Sequence, residues 1–273
     1  MHHRTLTNQK RGDWQRLIYE GSIEAPDTHP VQCHVPNDPA HQPYATLTPD
    51  VILDAVESVG FRTDGRMLAL NSYENRVYQI GLDEGAPVIA KFYRPARWSD
   101  EAILEEHAFA QELDEAEIPV VPPINVGGAT LHHFNGFRFS LSPRRGGRAP
   151  ELDRPEVLEW IGRFLGRIHA QGSASSFAHR PHLTLERFAL KPREWLLNSP
   201  FLPADIRPAW ESIAALAIDG AKAAFARAGD VRQIRLHGDC HAGNVLYTDK
   251  GPHFVDFDDC MTGPAIQDLW MML

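Results

Sequence analysis

Only three cysteines, Cys33, Cys240 and Cys260, occur in 273 residues. They are odd in number and show no pairing in their spacing, which argues against a disulfide framework and fits a reducing cytoplasm. Long apolar runs are missing too. No stretch approaches the roughly 18 apolar residues of a membrane-spanning helix, and the N-terminal region has no signal-peptide apolar core, so no membrane insertion is expected. Basic excess is also absent. With 27 Lys and Arg against 36 Asp and Glu, the net charge is −9, which removes the electrostatic reason to expect nucleic acid or an anionic membrane as partner. No internal repeat is present. What remains is a chain with 43% hydrophobic residues, enough for a packed core and long enough for two lobes sharing a cleft.

One stretch carries chemistry. His237-Gly238-Asp239-Cys240-His241-Ala242-Gly243-Asn244 is followed by Val255-Asp256-Phe257-Asp258-Asp259. Phosphoryl transfer from a nucleotide needs one carboxylate to orient the acceptor hydroxyl. It also needs an amide oxygen and another carboxylate to hold the magnesium that bridges the phosphates. Protein-kinase catalytic loops have the same Asp-x-x-x-x-Asn spacing and a later metal-binding Asp. His-Gly-Asp alone is more often an ordinary turn; the joint pattern changes the balance. Val245-Leu246-Tyr247 and His253-Phe254-Val255 read as strands around the polar turn Thr248-Asp249-Lys250-Gly251, a hairpin that brings Asn244 and Asp256 together. The reading is an ATP- and Mg2+-dependent phosphotransferase, with Asp239 and Asp256 as catalytic residues and Asn244 and Asp256 as metal ligands. Asp258 and Asp259 rank behind Asp256, and Asp268 reads as a cap or ion-pair partner. A competing reading sets His237, Asp239 and His241 on one face of an extended segment as a transition-metal cluster for hydrolysis, but it leaves the upstream pattern unexplained.

That pattern begins with two β-prone runs, Met67–Leu70 and Arg76–Ile80, flanking Asn71-Ser72-Tyr73-Glu74-Asn75. A third run, Val88-Ile89-Ala90-Lys91-Phe92-Tyr93, alternates faces and places Lys91 where kinases keep the lysine that grips the α- and β-phosphates. A helix should follow, capped by Ser99 with Asp100 and Glu101 in its first turn. Glu105 and Glu106 differ by roughly 100° in direction, so only one can face Lys91. Glu106 is favoured, which leaves Glu105 as a surface charge. The loop Asn71 to Asn75 has no glycine, so Ser72 and the two asparagines are the candidates to meet phosphate oxygens.

Asn71–Tyr78, Lys91-Phe92-Tyr93-Arg94-Pro95, Leu104-Glu105-Glu106-His107, Leu236–Asn244 and Gly263–Trp270 together resemble the bacterial stress response kinase A family. Its members are Ser/Thr protein kinases with the aminoglycoside phosphotransferase/choline kinase fold. The resemblance covers Thr48 to Leu273. It implies Asp239 as catalytic base, Asn244 and Asp256 as magnesium ligands and Ser72 at the ATP phosphates. It also implies a cytoplasmic enzyme of envelope or oxidative stress, acting on a protein substrate with a Ser or Thr acceptor. Fold does not fix substrate. Small-molecule hydroxyl kinases of the aminoglycoside, choline or homoserine type, and an inactive nucleotide-binding fragment, remain alternatives. A monomer is expected.

The expected architecture is α+β and bilobal, protein-kinase-like, with a small antiparallel-sheet lobe at residues 46–141 and a larger helical lobe at 142–273. Residues 1–45 are expected to be a poorly ordered extension. Five prolines from Pro26 to Pro43 break any helix there, His2, His3, His29, His34 and His41 are scattered, and Leu17-Ile18-Tyr19 is at most a docking turn. Thr48 with Pro49 should open the first helix and Gly60 stop it. Ser142 to Gly147 reads as a hinge. Asp153, with Pro155 and Glu156, should form a capping box for a long helix ending at His169, and Gly162 and Gly166 should let the catalytic segment approach that helix. Residues 206–227 should form a packed amphipathic helix. Ile266, Leu269, Trp270 and Leu273 start another, where the chain looks truncated relative to the family. Cys240 reads as either an oxidation-sensitive neighbour of Asp239 or a small buried filler.

Overall fold

A computed structural model describes residues 43–272; the expectations for Cys33, the scattered N-terminal histidines and Leu17-Ile18-Tyr19 lie outside the described residues. Thr48 Oγ1 accepts the Val51 N–H and opens helix α1 (Pro49–Ser58), with proline in the first turn, and Gly60 at φ 97° follows its end. Ile52, Ala55 and Val56 of α1 pack on a five-stranded antiparallel sheet. Its strands are β1 (Thr63–Leu70), β2 (Arg76–Leu82), β3 (Val88–Phe92), β4 (His132–Phe134) and β5 (Phe137–Pro143), in the order β1-β2-β3-β5-β4. Alternation along β3 sends Val88, Ala90 and Phe92 into that core. Ile89 and Lys91 take the opposite face and line a cleft.

Ser99 Oγ accepts the Ala102 N–H at 3.2 Å and caps helix α2 (Asp100–Glu115). His107 ties α2 to the sheet. Its Nε2 lies 2.7 Å from the Tyr93 hydroxyl and its Nδ1 2.8 Å from Thr130 Oγ1, and burial pushes its pKa down to about 3, so the ring is neutral.

Helix α3 (Pro155–Gly172) buries Val157, Ile161, Leu165 and Ile168 against Phe109, Leu113, Val245, Phe254 and Phe257. At about 1.5–3 kcal/mol per fully buried large apolar side chain, this stripe anchors the floor beneath residues 245–257. Two expectations for α3 need correction. Its N-cap is Arg154, not Asp153, with no side-chain cap bond. Arg154 Nε donates to Glu156 Oε1 at 2.9 Å and so engages the carboxylate that a capping box would use. Gly162 and Gly166 face solvent, off the buried stripe; the close approach is at Gly172, eleven residues on from Ile161, where an added Cβ would lie 2.1 Å from the Arg235 carbonyl oxygen. The helix also runs three residues past His169.

Beyond α3 come a π-helical turn (Glu186–Leu190), helix α4 (Lys191–Leu197) and helix α5 (Arg207–Ala228). α5 has the expected extent but buries only Ile218 and leaves Ile213 and Leu216 exposed, so it is not the packed helix its composition suggested. Strand β6 (Ile234–Leu236) pairs with β9 (Met261–Gly263), and β7 (Val245–Thr248) with β8 (Gly251–Phe254), both antiparallel. Helix α6 (Ile266–Trp270) buries Asp268 and exposes Ile266, Leu269 and Trp270. Among the described residues, no helix is long and apolar enough to cross a membrane.

Candidate active site

The expected hairpin forms, with Val245 opposite Phe254, but its turn is tighter than read: Thr248 and Gly251 pair within the ladder, and Val255 follows the second strand and is not part of it. The Val255 N–H donates to the Asn244 carbonyl at 3.0 Å, which keeps the two ends of the hairpin together. Ahead of it, Asn244 Nδ2 donates to the Asp239 carbonyl at 3.0 Å and lies 3.4 Å from Asp239 Oδ2. The His241 Nδ1 accepts the Gly243 N–H at 2.9 Å and caps the 3-10 turn Ala242–Asn244. Asp256 adopts a left-handed backbone, φ 61° and ψ 68°, a conformation costing about 1–2 kcal/mol outside glycine. Its side chain is half exposed and points at Lys91.

His237 settles the transition-metal alternative. It is fully buried; Nε2–H donates to the Val255 carbonyl at 2.9 Å, and Nδ1 faces the Asp239 N–H at 3.4 Å. With both nitrogens engaged inside the fold, it cannot share a metal-binding face with Asp239 and His241. Among the described residues, no group of three or more His, Cys, Asp and Glu side chains is set to hold a metal ion.

Lys91 is the electrostatic centre of the cleft. Its Nζ lies 3.2 Å from each of Glu106 Oε1, Asp256 Oδ1 and Asp258 Oδ1. Burial works against its charge, but Asp258, Glu106 and Asp256 outweigh that and hold the ammonium pKa well above its ordinary value. Burial pushes the Glu106 carboxyl up, only partly offset by Lys91. Asp258 is the reverse case: burial would raise it, yet Lys91, Arg97 and Arg180 hold it low. Arg97 donates to Asp258 at 2.8 Å and to Asp259 at 2.7 Å, so Asp258 is shared between two cations. Glu105 is not the free surface charge expected of it. Its carboxylate accepts three backbone N–H groups from residues 178–180.

The cleft, of about 360 Å³, has an apolar part bounded by Leu70, Val77, Ile89 and Leu246 and a polar part with Ser72, Lys91, Glu106, Asn244 and Asp256. Asp239 is on the same loop as Asn244 but outside this lining, with its side chain about a third exposed. In the glycine-free loop, Ser72 lines the cleft, whereas Asn75 is buried and its side-chain oxygen accepts the Arg94 N–H at 3.1 Å. Asn75 thus ties the loop to the segment after β3 and does not line the cleft. Burial pushes the Cys240 thiol up, and the side chain is fully enclosed, so it packs as a small apolar group.

The model for the family described as "Phosphotransferase enzyme family" matches residues 67–273. The chain belongs to that family. It is similar to stress response kinase A of Escherichia coli K12, 43% identical over 230 residues, which cover 84% of this chain and 69% of the relative. It is also 41% identical over 243 residues to the serine/threonine protein kinase RdoA of Salmonella typhimurium LT2, covering 84% of this chain and 69% of that protein. Among solved structures, an amicoumacin kinase aligns with TM-score 0.65 at 20% identity, over 79% of this chain and 66% of its own length. A microcompartment-associated aminopropanol kinase aligns with TM-score 0.63 at 18% identity, over 81% of this chain and 73% of its own. The last two share the phosphotransferase fold. The chain thus spans about two thirds of the length of these proteins.

Two residues that support the cleft were only partly legible, or not legible, in the sequence. Asp268, read as a cap or ion-pair partner, is both, and it holds the backbone just before Asp239: Oδ1 accepts the Gly238 N–H at 2.8 Å, and Oδ2 accepts the His237 N–H at 3.1 Å and the His169 ring at 3.0 Å. Arg180 had no signal, because its partners lie 78 and 80 residues away.

Proposed function

We propose that this chain catalyses ATP- and magnesium-dependent phosphoryl transfer to a Ser or Thr hydroxyl of a protein. The observation that carries the reading is the hairpin, which sets Asn244 and Asp256 at one end of the cleft opposite Lys91, itself held by Glu106. In this reading, residues 46–141 form the nucleotide lobe and 142–273 the catalytic lobe. The apolar slot suits a nucleobase, and Ser72 and Lys91 suit the phosphates. The donor set fits magnesium: an amide oxygen and a carboxylate oxygen are hard ligands, and magnesium characteristically binds one or two protein oxygens while keeping water and phosphate in the rest of its shell. When bound, the ion would neutralise charge on the bridged phosphates. Asp239 would accept the hydroxyl proton as general base, and Lys91 would steady the α- and β-phosphates by charge, with transfer by positioning and charge stabilisation and no covalent intermediate.

Replacing Asp256 by Asn removes a ligand charge while preserving shape. The magnesium concentration for half-maximal nucleotide binding should rise on the order of tenfold or more, because affinity follows ligand charge. Calorimetric titration of nucleotide at graded magnesium checks this; an unchanged requirement would remove Asp256 from the metal site.

Support for a protein acceptor comes from the relatives named stress response kinase A and serine/threonine protein kinase. A small-molecule acceptor is the second reading, favoured by the names of the solved neighbours, an amicoumacin kinase and an aminopropanol kinase. Incubation with labelled ATP and magnesium separates them. Label is expected on Ser or Thr of the chain itself and of a generic basic protein. Rapid labelling of choline, homoserine or an aminoglycoside, with none entering protein, would overturn the acceptor and leave the chemistry standing.

A further inference from the structure

Residues 177–183 form no helix or strand, yet two elements of the cleft meet on them. On the α2 side, Glu105 accepts the backbone N–H groups of Ala178 at 2.6 Å, His179 at 2.7 Å and Arg180 at 2.8 Å. Hydrogen bonds to an ionised acceptor are roughly twice as strong as neutral ones, and three converge on this carboxylate. On the other side, the buried Arg180 guanidinium donates through Nε to the Cys260 carbonyl at 2.9 Å and through Nη2 to the Asp258 carbonyl. It stacks on Trp98, 4.2 Å from the ring centre, just before the α2 cap. The segment is fixed along β9, where the Thr262 N–H donates to the Pro181 carbonyl and the Leu183 N–H to the Thr262 carbonyl, both at 2.8 Å.

Glu105 and Glu106 are adjacent on α2 and face different partners. Glu106 holds Lys91, while Glu105 holds the backbone of Arg180, whose side chain holds the turn Phe257–Asp259 next to Asp256. Arg180 Nη1 also lies 3.9 Å from Glu106 Oε2. We infer that Arg180 is a positioning residue: clamped to α2 through Glu105, it sets the turn that presents Asp256, so that the lysine pair and the metal-facing carboxylate keep a fixed geometry. The inference rests on the reading of the cleft as a magnesium–nucleotide site. Its physical basis is that the turn after the left-handed Asp256 is held on its side chains by the packing of Phe257 and by Arg97, while the Asp258 and Cys260 carbonyls of its backbone are held by Arg180. A planar guanidinium fork reaching two carbonyls supplies the constraint, and a lysine ammonium cannot reproduce that geometry.

The test is a binding titration of a fluorescent ATP analogue against magnesium, with thermal unfolding run in parallel. The full chain is compared with Glu105→Ala, Glu105→Gln and Arg180→Lys. Glu105→Ala and Arg180→Lys should raise the magnesium concentration for half-maximal nucleotide binding about tenfold, a common size for coupling between linked sites. Glu105→Gln keeps an acceptor oxygen and should fall between the unaltered chain and Glu105→Ala. A purely structural role predicts a lower unfolding temperature with an unchanged magnesium curve, and that result would overturn the inference. Should Arg180→Lys fail to fold, the partly exposed Glu105 variants decide. Absence of any magnesium-dependent nucleotide binding by the unaltered chain would bring down the functional reading as well, whereas unchanged curves in the variants remove the clamp alone.

Discussion

Asp239→Ala is expected to lower phosphoryl transfer by about 10²–10⁴-fold, the span attributed to a positioned general base, while nucleotide binding and thermal unfolding stay close to those of the parent. The local geometry separates the two effects. Asn244 is held chiefly by the backbone carbonyl of Asp239 at 3.0 Å, and only weakly by its carboxylate at 3.4 Å, so truncating the side chain leaves the loop's main tie intact. Asp239 also lies outside the residues that line the nucleotide-sized cleft. Single-turnover assays with labelled ATP, alongside calorimetric binding, check both halves. Retained turnover would remove Asp239 from the mechanism; lost binding would mean that the loop had collapsed.

Asp268→Ala should instead act through stability. This carboxylate is completely buried and accepts from the N–H groups of His237 and Gly238 and from the ring of His169. Each buried donor left without a partner costs about 1–3 kcal/mol, so the substitution should destabilise by about 3 kcal/mol or more. For a domain of this size, that corresponds to a fall in melting temperature of roughly 6–12 °C. Transfer should be lost too, because both N–H groups belong to residues immediately before Asp239. Gly238 has little freedom to compensate. It sits at φ 88°, and a Cβ there would lie 2.0 Å from the Asp259 carbonyl, so the loop is pressed against the Asp256–Asp259 segment. A melting temperature within a degree of the parent would contradict the anchoring role.

Where determinants were local, the sequence was legible. The caps at Thr48 and Ser99, the alternation of β3 and the β7–β8 hairpin each depend on residues a few positions apart, and each appears where the pattern put it. The same is true of Glu106: helical geometry allows only one of two adjacent glutamates to face Lys91, and Glu106 is the one that does. Competition and distance defeated the rest. Glu156 could have closed a capping box, but Arg154 offered a charged partner two residues away. Gly162 and Gly166 carry the same composition signal as Gly172, and only the phase of the buried stripe tells them apart. Asn75 looked like a phosphate contact because nothing nearby reveals that its side chain is buried outside the cleft lining, tied to the Arg94 N–H 19 residues on. The three-residue strands β4, β6 and β9 are too short to show a period. The second role of Glu105 depends on a segment more than 70 residues away.

Lys91 pairs with Asp256 at the same 3.2 Å that separates it from Glu106 and Asp258. On the proposed reading, a divalent ion entering alone would compete with an ammonium for that oxygen, and a triphosphate entering alone would draw the ammonium away from Asp256 and leave that carboxylate unpaired. Arriving together they exchange partners. The phosphates would take the lysine's charge in place of Asp256 while Glu106 and Asp258 still hold the ammonium, and the freed Asp256 oxygen would be available to the cation. Each ligand should therefore raise the affinity for the other by an identical factor, as reciprocity of equilibrium binding requires. On that reading the cleft would favour a metal–nucleotide complex over either component, with one side chain serving as placeholder for both.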